Sequence, residues 1–195
     1  MKSLILGSAT KTLYISLVDD GNVLYEKYVE GRNDHAKNIV FLVDEALKSN
    51  SLSCDDLDKV IVGYGPGSYT GVRMAVTVAK MIAVFKHVDL YTISTLKLMA
   101  SSKQGIVASM IDARRGNAFA GVFDMDNNQE ILKEGMYSYE EIKMVKHDCE
   151  ICEDCFKVDV NYVIKNANKV LEPHLLVPNY LRETEAERNL KWLGD

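Results

Sequence analysis

Three short segments near the start, Lys2 to Leu6, Thr12 to Val18 and Val23 to Glu30, alternate β-branched or aromatic residues, and the stretches Ala9-Thr10-Lys11 and Asp20-Gly21-Asn22 separate them. Period-two alternation broken by turn residues predicts an antiparallel meander. The period then lengthens. Asp34 can cap a helix through about Lys48, in which Ala36, Ile39, Val40, Val43, Ala46 and Leu47 recur at helical spacing as a core-facing stripe. Phe41 falls outside that stripe, since a turn of about 100° per residue sets it beside Lys37, Glu45 and Lys48 on the polar face. An aromatic so placed is either a partner contact or an isolated surface residue.

Lys59 to Val62 reads as a buried strand, followed by the glycine-rich stretch GYGPGSYTG. From Gly71 a helix is predicted to about Lys86, and its polar side chains Arg73, Thr77 and Lys80 fall on one narrow stripe. An outer helix covering one sheet face does not need so wide an apolar surface, so this helix has to be covered twice, by the sheet and by something else. After a strand at Leu90 to Ile93, Ser94 can cap a short helix to about Ala100.

The order of elements then restarts. Ile106 to Ile111, Asn117 to Phe123 and Ile131 to Tyr137 read as strands, Asp126-Asn127-Asn128 as a turn, and Ser138-Tyr139-Glu140-Glu141 as a capping box opening a helix. A strand at Phe156 to Val158 and a helix from about Val160 to Leu171 close the series, and PNYLRETEAERNLKW near the end can pack a further helix on either lobe. One succession of elements occurring twice predicts an α/β protein of two lobes, 1–102 and 103–195, the second shorter and less regular.

With 195 residues, 47% hydrophobic and 26% charged, the chain fits one large domain or two small lobes able to bury a core. Its net charge of −5 supplies no overall attraction to nucleic acid or an anionic membrane, so any contact with RNA is expected to be indirect. The start, MKSLILGSATKTLYISLV, lacks the long apolar region of a signal peptide, and no stretch reaches the ~18 apolar residues of a membrane helix. A cytoplasmic location is expected. Cys54, Cys149, Cys152 and Cys155 fit reduced thiols there, three of them being too closely spaced for a disulfide framework.

The glycine-rich stretch fails three tests for chemistry. Gly71 is followed by Val72 and Arg73 rather than the Lys-Ser/Thr of a P-loop, Thr70 stands where a dinucleotide fingerprint needs its third glycine, and Ser68 directly follows Gly67, unlike a nucleophile elbow. What remains is a strand, a turn and a helix N-terminus. Gly65, Gly67, Ser68, Tyr69, Thr70 and Gly71 serve either as an anion contact or as a turn that needs its glycines for backbone geometry. His147, Cys149, Cys152 and Cys155 are zinc-competent, but they supply half of the two-knuckle spacing of a structural zinc site. The four histidines include no HExxH pair, and Asp112 with Arg114-Arg115 reads as a solvated turn or a charged site at a strand end.

GYGPGSYTGVRMA, ISTL at Ile93 to Leu96, IDARRGNAFAGVF at Ile111 to Phe123 and PNYLRETEAE, in that order, resemble the TsaB (YeaZ-type) family over most of the chain. The resemblance implies the duplicated actin-like ATPase fold shared with sugar kinases and Hsp70. It implies a non-catalytic partner of the transferase TsaD and the ATPase TsaE in placing threonylcarbamoyl on an adenosine of tRNA (the t6A modification). The two first-lobe helices would then form the surface for TsaD or for a self-dimer, giving the over-apolar helix its second cover. Candidate contacts are Phe41, Lys37 and Glu45 on the first helix and Arg73, Met74, Thr77, Val78 and Met81 on the second, with Phe41 reached through helical geometry alone. No cofactor is required on this reading, and ATP or ADP at the subunit boundary is the remaining role for an anion contact at the glycine turn.

The chain departs from the family at the end of its first strand. Members commonly carry an Asp-Thr pair there, and relatives that transfer or hydrolyse phosphate keep a metal-positioning aspartate, where this sequence has Leu6-Gly7-Ser8-Ala9-Thr10. Ser8 cannot act as that carboxylate, which weighs against the alternative of a small ATPase or phosphotransferase. A protease reading lacks an HxxxH ligand pair, and the cysteine-rich segment has no family counterpart.

Overall fold

In a computed structural model, residues 1–31 and 35–181 are described, without the side chains at 35–37. The Asp34 cap, the Lys37 side chain and the segment from Arg182 onward lie outside them. The expected meander is present as β1 (Lys2–Gly7), β2 (Thr12–Asp19) and β3 (Asn22–Glu30), with β2 antiparallel to both neighbours. After α1 (His35–Lys48), β4 (Lys59–Gly63) pairs parallel to β1, and after α2 (Tyr69–Lys86), β5 (Asp89–Ile93) pairs parallel to β4. The helix α3 (Thr95–Ala100) follows, with the Ser94 hydroxyl accepting from the Leu96 amide at 3.1 Å as its predicted cap.

The second lobe repeats the plan. Strands β6 (Ile106–Arg114), β7 (Asn117–Asp124) and β8 (Gln129–Ser138) form a meander, the predicted capping box at Ser138 and Glu141 opens α4 (Tyr139–Met144), and β9 (Cys149–Cys152) returns parallel to β6. Strand orders β3-β2-β1-β4 and β8-β7-β6-β9 are the same arrangement of first, second, third and fourth strands, so the predicted duplication is a duplication of topology. The closing elements differ from expectation. Phe156–Val158 joins neither sheet, and the strand lies earlier, at Cys149–Cys152, where it pairs with Val107 to Met110. Helix α5 (Val160–Asn166) stops well before Leu171, and the chain turns into β10 (Asn168–Lys169), which pairs with Tyr91 and Thr92 at the edge of the first sheet.

Alternation along β1 sorts the core. Leu4 and Leu6 face α1 and α2, whereas Ile5 packs with Tyr14, Ile61, Ile93, Leu98 and the Val160 and Val163 of α5. Helix α3 lies between the sheets, giving Leu98 to the first and Leu96, Met99 and Ala100 to Val107, Ile111 and Phe123 of the second. Both lobes therefore share one helix as wall. The far face of the second sheet is covered more thinly, with Ile142 of the six-residue α4 set against Ala108, Ala118, Ala120 and Val122. Among the described residues, no helix is long and apolar enough to cross a membrane.

Candidate partner-binding face

Helix α2 begins two residues before the expected Gly71, because Ser68 is its N-cap and its hydroxyl accepts from the Gly71 amide at 3.3 Å. The glycine turn ahead of it is wedged between two other backbones. A Cβ on Gly67 would strike the Ala9 carbonyl oxygen, one on Gly71 the Ser8 carbonyl oxygen, and one on Gly65 the Asn179 carbonyl oxygen. The Ser68 amide donates to Ala9 O at 2.7 Å, and the fully buried Ser8 hydroxyl donates to Gly71 O at 2.6 Å. The Ser68 and Gly71 amides are thus occupied within the protein, and Gly65, Gly67 and Gly71 let these backbones pass closely.

Along α2, Gly71, Val72, Ala75, Val76, Ala79, Ile82 and Ala83 are buried on the sheet. The small residues let the helix lie close to β4, and the opposite face keeps its apolar side chains in solvent. Met81 is 54% exposed, Val84 43% and Phe85 73%. On α1, Ile39, Leu42, Val43, Ala46 and Leu47 form the buried stripe, but Val40, expected within it, is 59% exposed. At the stripe's margin it faces α2 across a groove instead of the sheet. That groove, of about 380 Å³, is lined by Val40, Thr70, Arg73, Met74, Thr77 and Val78, and it continues past Val40 and Val78 into a hollow of about 270 Å³ against Met81 and Leu47.

Of the sequence candidates, Arg73, Met74, Thr77, Val78 and Met81 are brought together on this groove. Phe41 is exposed as expected, at 63%. It and Glu45 do not line the groove, and Glu45 turns to β3, where Lys27 Nζ donates to it at 2.7 Å. Sequence reasoning missed Val40 and Phe85, although Phe85 follows Met81 at the i, i+4 spacing that carries the face. It also missed the flank. Past α5 the chain runs alongside α2, where Lys80 Nζ donates to the carbonyls of His174 and Leu176 at 2.9 and 3.0 Å. Tyr180 stacks on Tyr69 at 4.7 Å between centroids, with the Arg73 guanidinium over the other ring at 5.4 Å.

The remaining candidates separate. Asp112 Oδ1 accepts from the Arg114 amide at 2.9 Å, and Arg114 and Arg115 are exposed with positive φ, as in a solvated turn. His147 contacts Val145 O at 2.7 Å and Glu150 at 3.1 Å, and Cys152 and Cys155 are exposed. Among the described residues, no group of three or more His, Cys, Asp and Glu side chains is placed to hold a metal ion. Between the lobes, Lys11 pairs with Asp154 at 3.0 Å and Glu153 at 3.5 Å, so the cation there is already neutralised by carboxylates.

A polar hollow of about 380 Å³ on the other side of the lobe junction is lined by Tyr64, Ser94, Lys97, Glu130 and Glu134. Burial raises the Glu134 carboxyl, against the lowering effect of its bond to Ser94. The folded state therefore keeps the Glu134 proton to a higher pH than the unfolded chain, so this group's contribution to stability is fullest below the ordinary value of 4.5 and falls as pH rises toward the raised value. Glu134→Gln is expected to flatten this slope, leaving urea midpoints measured across the weakly acidic range closer together than in the parent.

Comparison with known proteins gives this geometry a setting. The family model described as "TsaD: tRNA N6-adenosine threonylcarbamoyltransferase" matches residues 30–171. The tRNA threonylcarbamoyladenosine biosynthesis protein TsaB of Bacillus subtilis is 26% identical over 228 aligned positions, covering 99% of this chain and 98% of that protein. Its Escherichia coli namesake is 31% identical over 66% of this chain and 57% of its own length. Among solved structures, YeaZ from Pseudomonas aeruginosa superimposes with a TM-score of 0.74 over 92% of this chain and 99% of its own, at 19% identity, and so shares the fold. With that fold, the family match across most of its length and the full-length TsaB alignment, the chain belongs to the TsaD-related family on its TsaB/YeaZ branch.

Proposed function

We propose that this chain is a non-catalytic component of the machinery that makes threonylcarbamoyladenosine in tRNA, and that it works by binding a TsaD-type transferase through the α1–α2 face. The observation that carries the reading is the apolar groove flanked by Val40, Met81 and Phe85, an exposed surface of the kind that marks an interaction site. Two further features weigh against catalysis by the chain itself. Ser8 is spent on a backbone hydrogen bond at the end of the first strand, and the nearby Lys11 is held by Glu153 and Asp154, whose charges oppose a phosphate. A second copy would compete for the same face, so a self-dimer and the complex with the transferase exclude one another. A TsaE-type ATPase joins the complex, tRNA is met mainly through the partners, and the assembly works in the cytoplasm. No cofactor is needed, although ATP or ADP held at the boundary with the transferase is compatible with Thr70 and Arg73 at the rim of the groove.

Co-elution of the full chain with its cognate TsaD-type protein, together with reconstituted tRNA modification with and without the chain, tests this reading. The double variant Met81→Asp, Phe85→Asp places two charges on the exposed face and is expected to weaken the complex by roughly 100-fold or more, the loss of about 3 kcal/mol of contact. Its thermal midpoint should stay near the parent's, because both side chains already face solvent. Undiminished binding by this variant, or full modification without the chain, would overturn the proposal.

A further inference from the structure

The cysteine-rich segment is unused by the partner face, and its geometry is selective. Cys149 and Cys152 bound the strand β9, where three residues of extended chain separate them by about 10 Å and turn them to opposite faces. Disulfides require Cα atoms closer than about 7 Å, so these two cannot close without breaking the strand. After Cys152 the chain reverses, and the Cys155 amide donates to the Cys152 carbonyl at 3.3 Å. Residues Cys152-Glu153-Asp154-Cys155 are therefore a β-turn, whose ends lie within about 7 Å, in the span that a disulfide bridges. Both thiols are exposed, whereas Cys54 is part-buried in the first lobe.

We propose that Cys152 and Cys155 form a modification site, closing to a disulfide across their own turn by exchange with a low-molecular-weight disulfide. One thiolate, that of Cys155, attacks a sulfur of the reagent and releases one reagent thiol. The Cys152 thiolate then attacks the Cys155 sulfur and displaces the second. The two cysteine protons end on the two released thiols, so the protein pair is oxidised by two electrons and the reagent is reduced by two. Burial, together with Glu150, Asp154 and Glu153, raises the Cys152 thiol, which disfavours it as the first attacking thiolate. The two residues inside the ring are the pair that grips Lys11, so closure fixes the turn that joins the lobes.

The test treats the reduced full chain with glutathione disulfide in mildly alkaline buffer and follows intact mass. The parent and Cys149→Ser should each lose two hydrogen atoms and carry no glutathione at the pair, and dithiothreitol should restore the mass. Cys152→Ser and Cys155→Ser should instead stop at a stable glutathione adduct on the remaining thiol. Loss of two hydrogens that persists in Cys152→Ser, or that disappears in Cys149→Ser, would overturn the assignment. So would a parent that accumulates only glutathione adducts or disulfide-linked dimers.

Discussion

Ser8→Asp is expected to lose about 3–5 kcal/mol of folding stability, a large share of the roughly 5–15 kcal/mol that holds a domain folded. Ser8 is fully buried and donates to the Gly71 carbonyl at 2.6 Å. An ionised aspartate has no proton to donate, so it would set a carboxylate against a carbonyl oxygen with no water to screen them. Ser8→Ala removes one donor while the Gly71 carbonyl keeps its place in the hydrogen-bond ladder of α2, and should cost about 0.5–1.5 kcal/mol. The pair differs in pH response as well. A protonated aspartate regains a donor, so the deficit of Ser8→Asp should shrink as pH falls through the carboxylate range, whereas that of Ser8→Ala should not. Denaturant midpoints of both variants against the parent read the difference. An aspartate tolerated at neutral pH would show that this strand end is open to water, and with it the case against a buried metal-positioning role would weaken.

Gly71→Ala is expected to have a comparable effect by a different route. A Cβ here would collide with the Ser8 carbonyl oxygen, which belongs to backbone and cannot rotate away. Either the β1–β2 connection or the first turn of α2 has to shift, an overpacking cost of about 3 kcal/mol or more. Because α2 also presents Met81 and Phe85, the proposed function predicts that the variant loses binding to a TsaD-type transferase along with stability. Gly116→Ala is the control: its glycine has a φ of +77° but nothing within 4 Å, so only the left-handed backbone penalty of about 1–2 kcal/mol applies. Paired unfolding and co-elution measurements distinguish a helix that has moved from a turn that is merely strained.

Features fixed by neighbours along the chain were legible in the sequence. The caps at Ser94 and Ser138, the two meanders and the wide apolar surface of α2 depend on residues within a few positions of one another. The exposed apolar stripe of α2 was legible too, because an amphipathic count exposes apolar residues that one sheet cannot cover. What depends on distant partners was hidden. Phe156 and Val158 look like strand residues because they are apolar and alternate, yet they join neither sheet, and the Val158 amide donates to the Tyr28 hydroxyl at 2.9 Å. Val40 belongs to the stripe by spacing, and only the placement of α2 shows that the sheet does not reach it. The flank built by His174, Leu176 and Tyr180 rests on contacts spanning most of the chain, which no local pattern announces.

The short strand β10 has a bearing on how such a protein survives at working concentrations. A sheet whose outermost strand offers unpaired amides and carbonyls is a template for any extended chain that drifts by. The returning backbone at Asn168 and Lys169 occupies part of that template along β5, and the opposite edge, β3, is fenced by Glu26, Lys27 and Glu30. A molecule that leaves one apolar helical surface open to solvent has thereby made the borders of its sheet inhospitable to strangers.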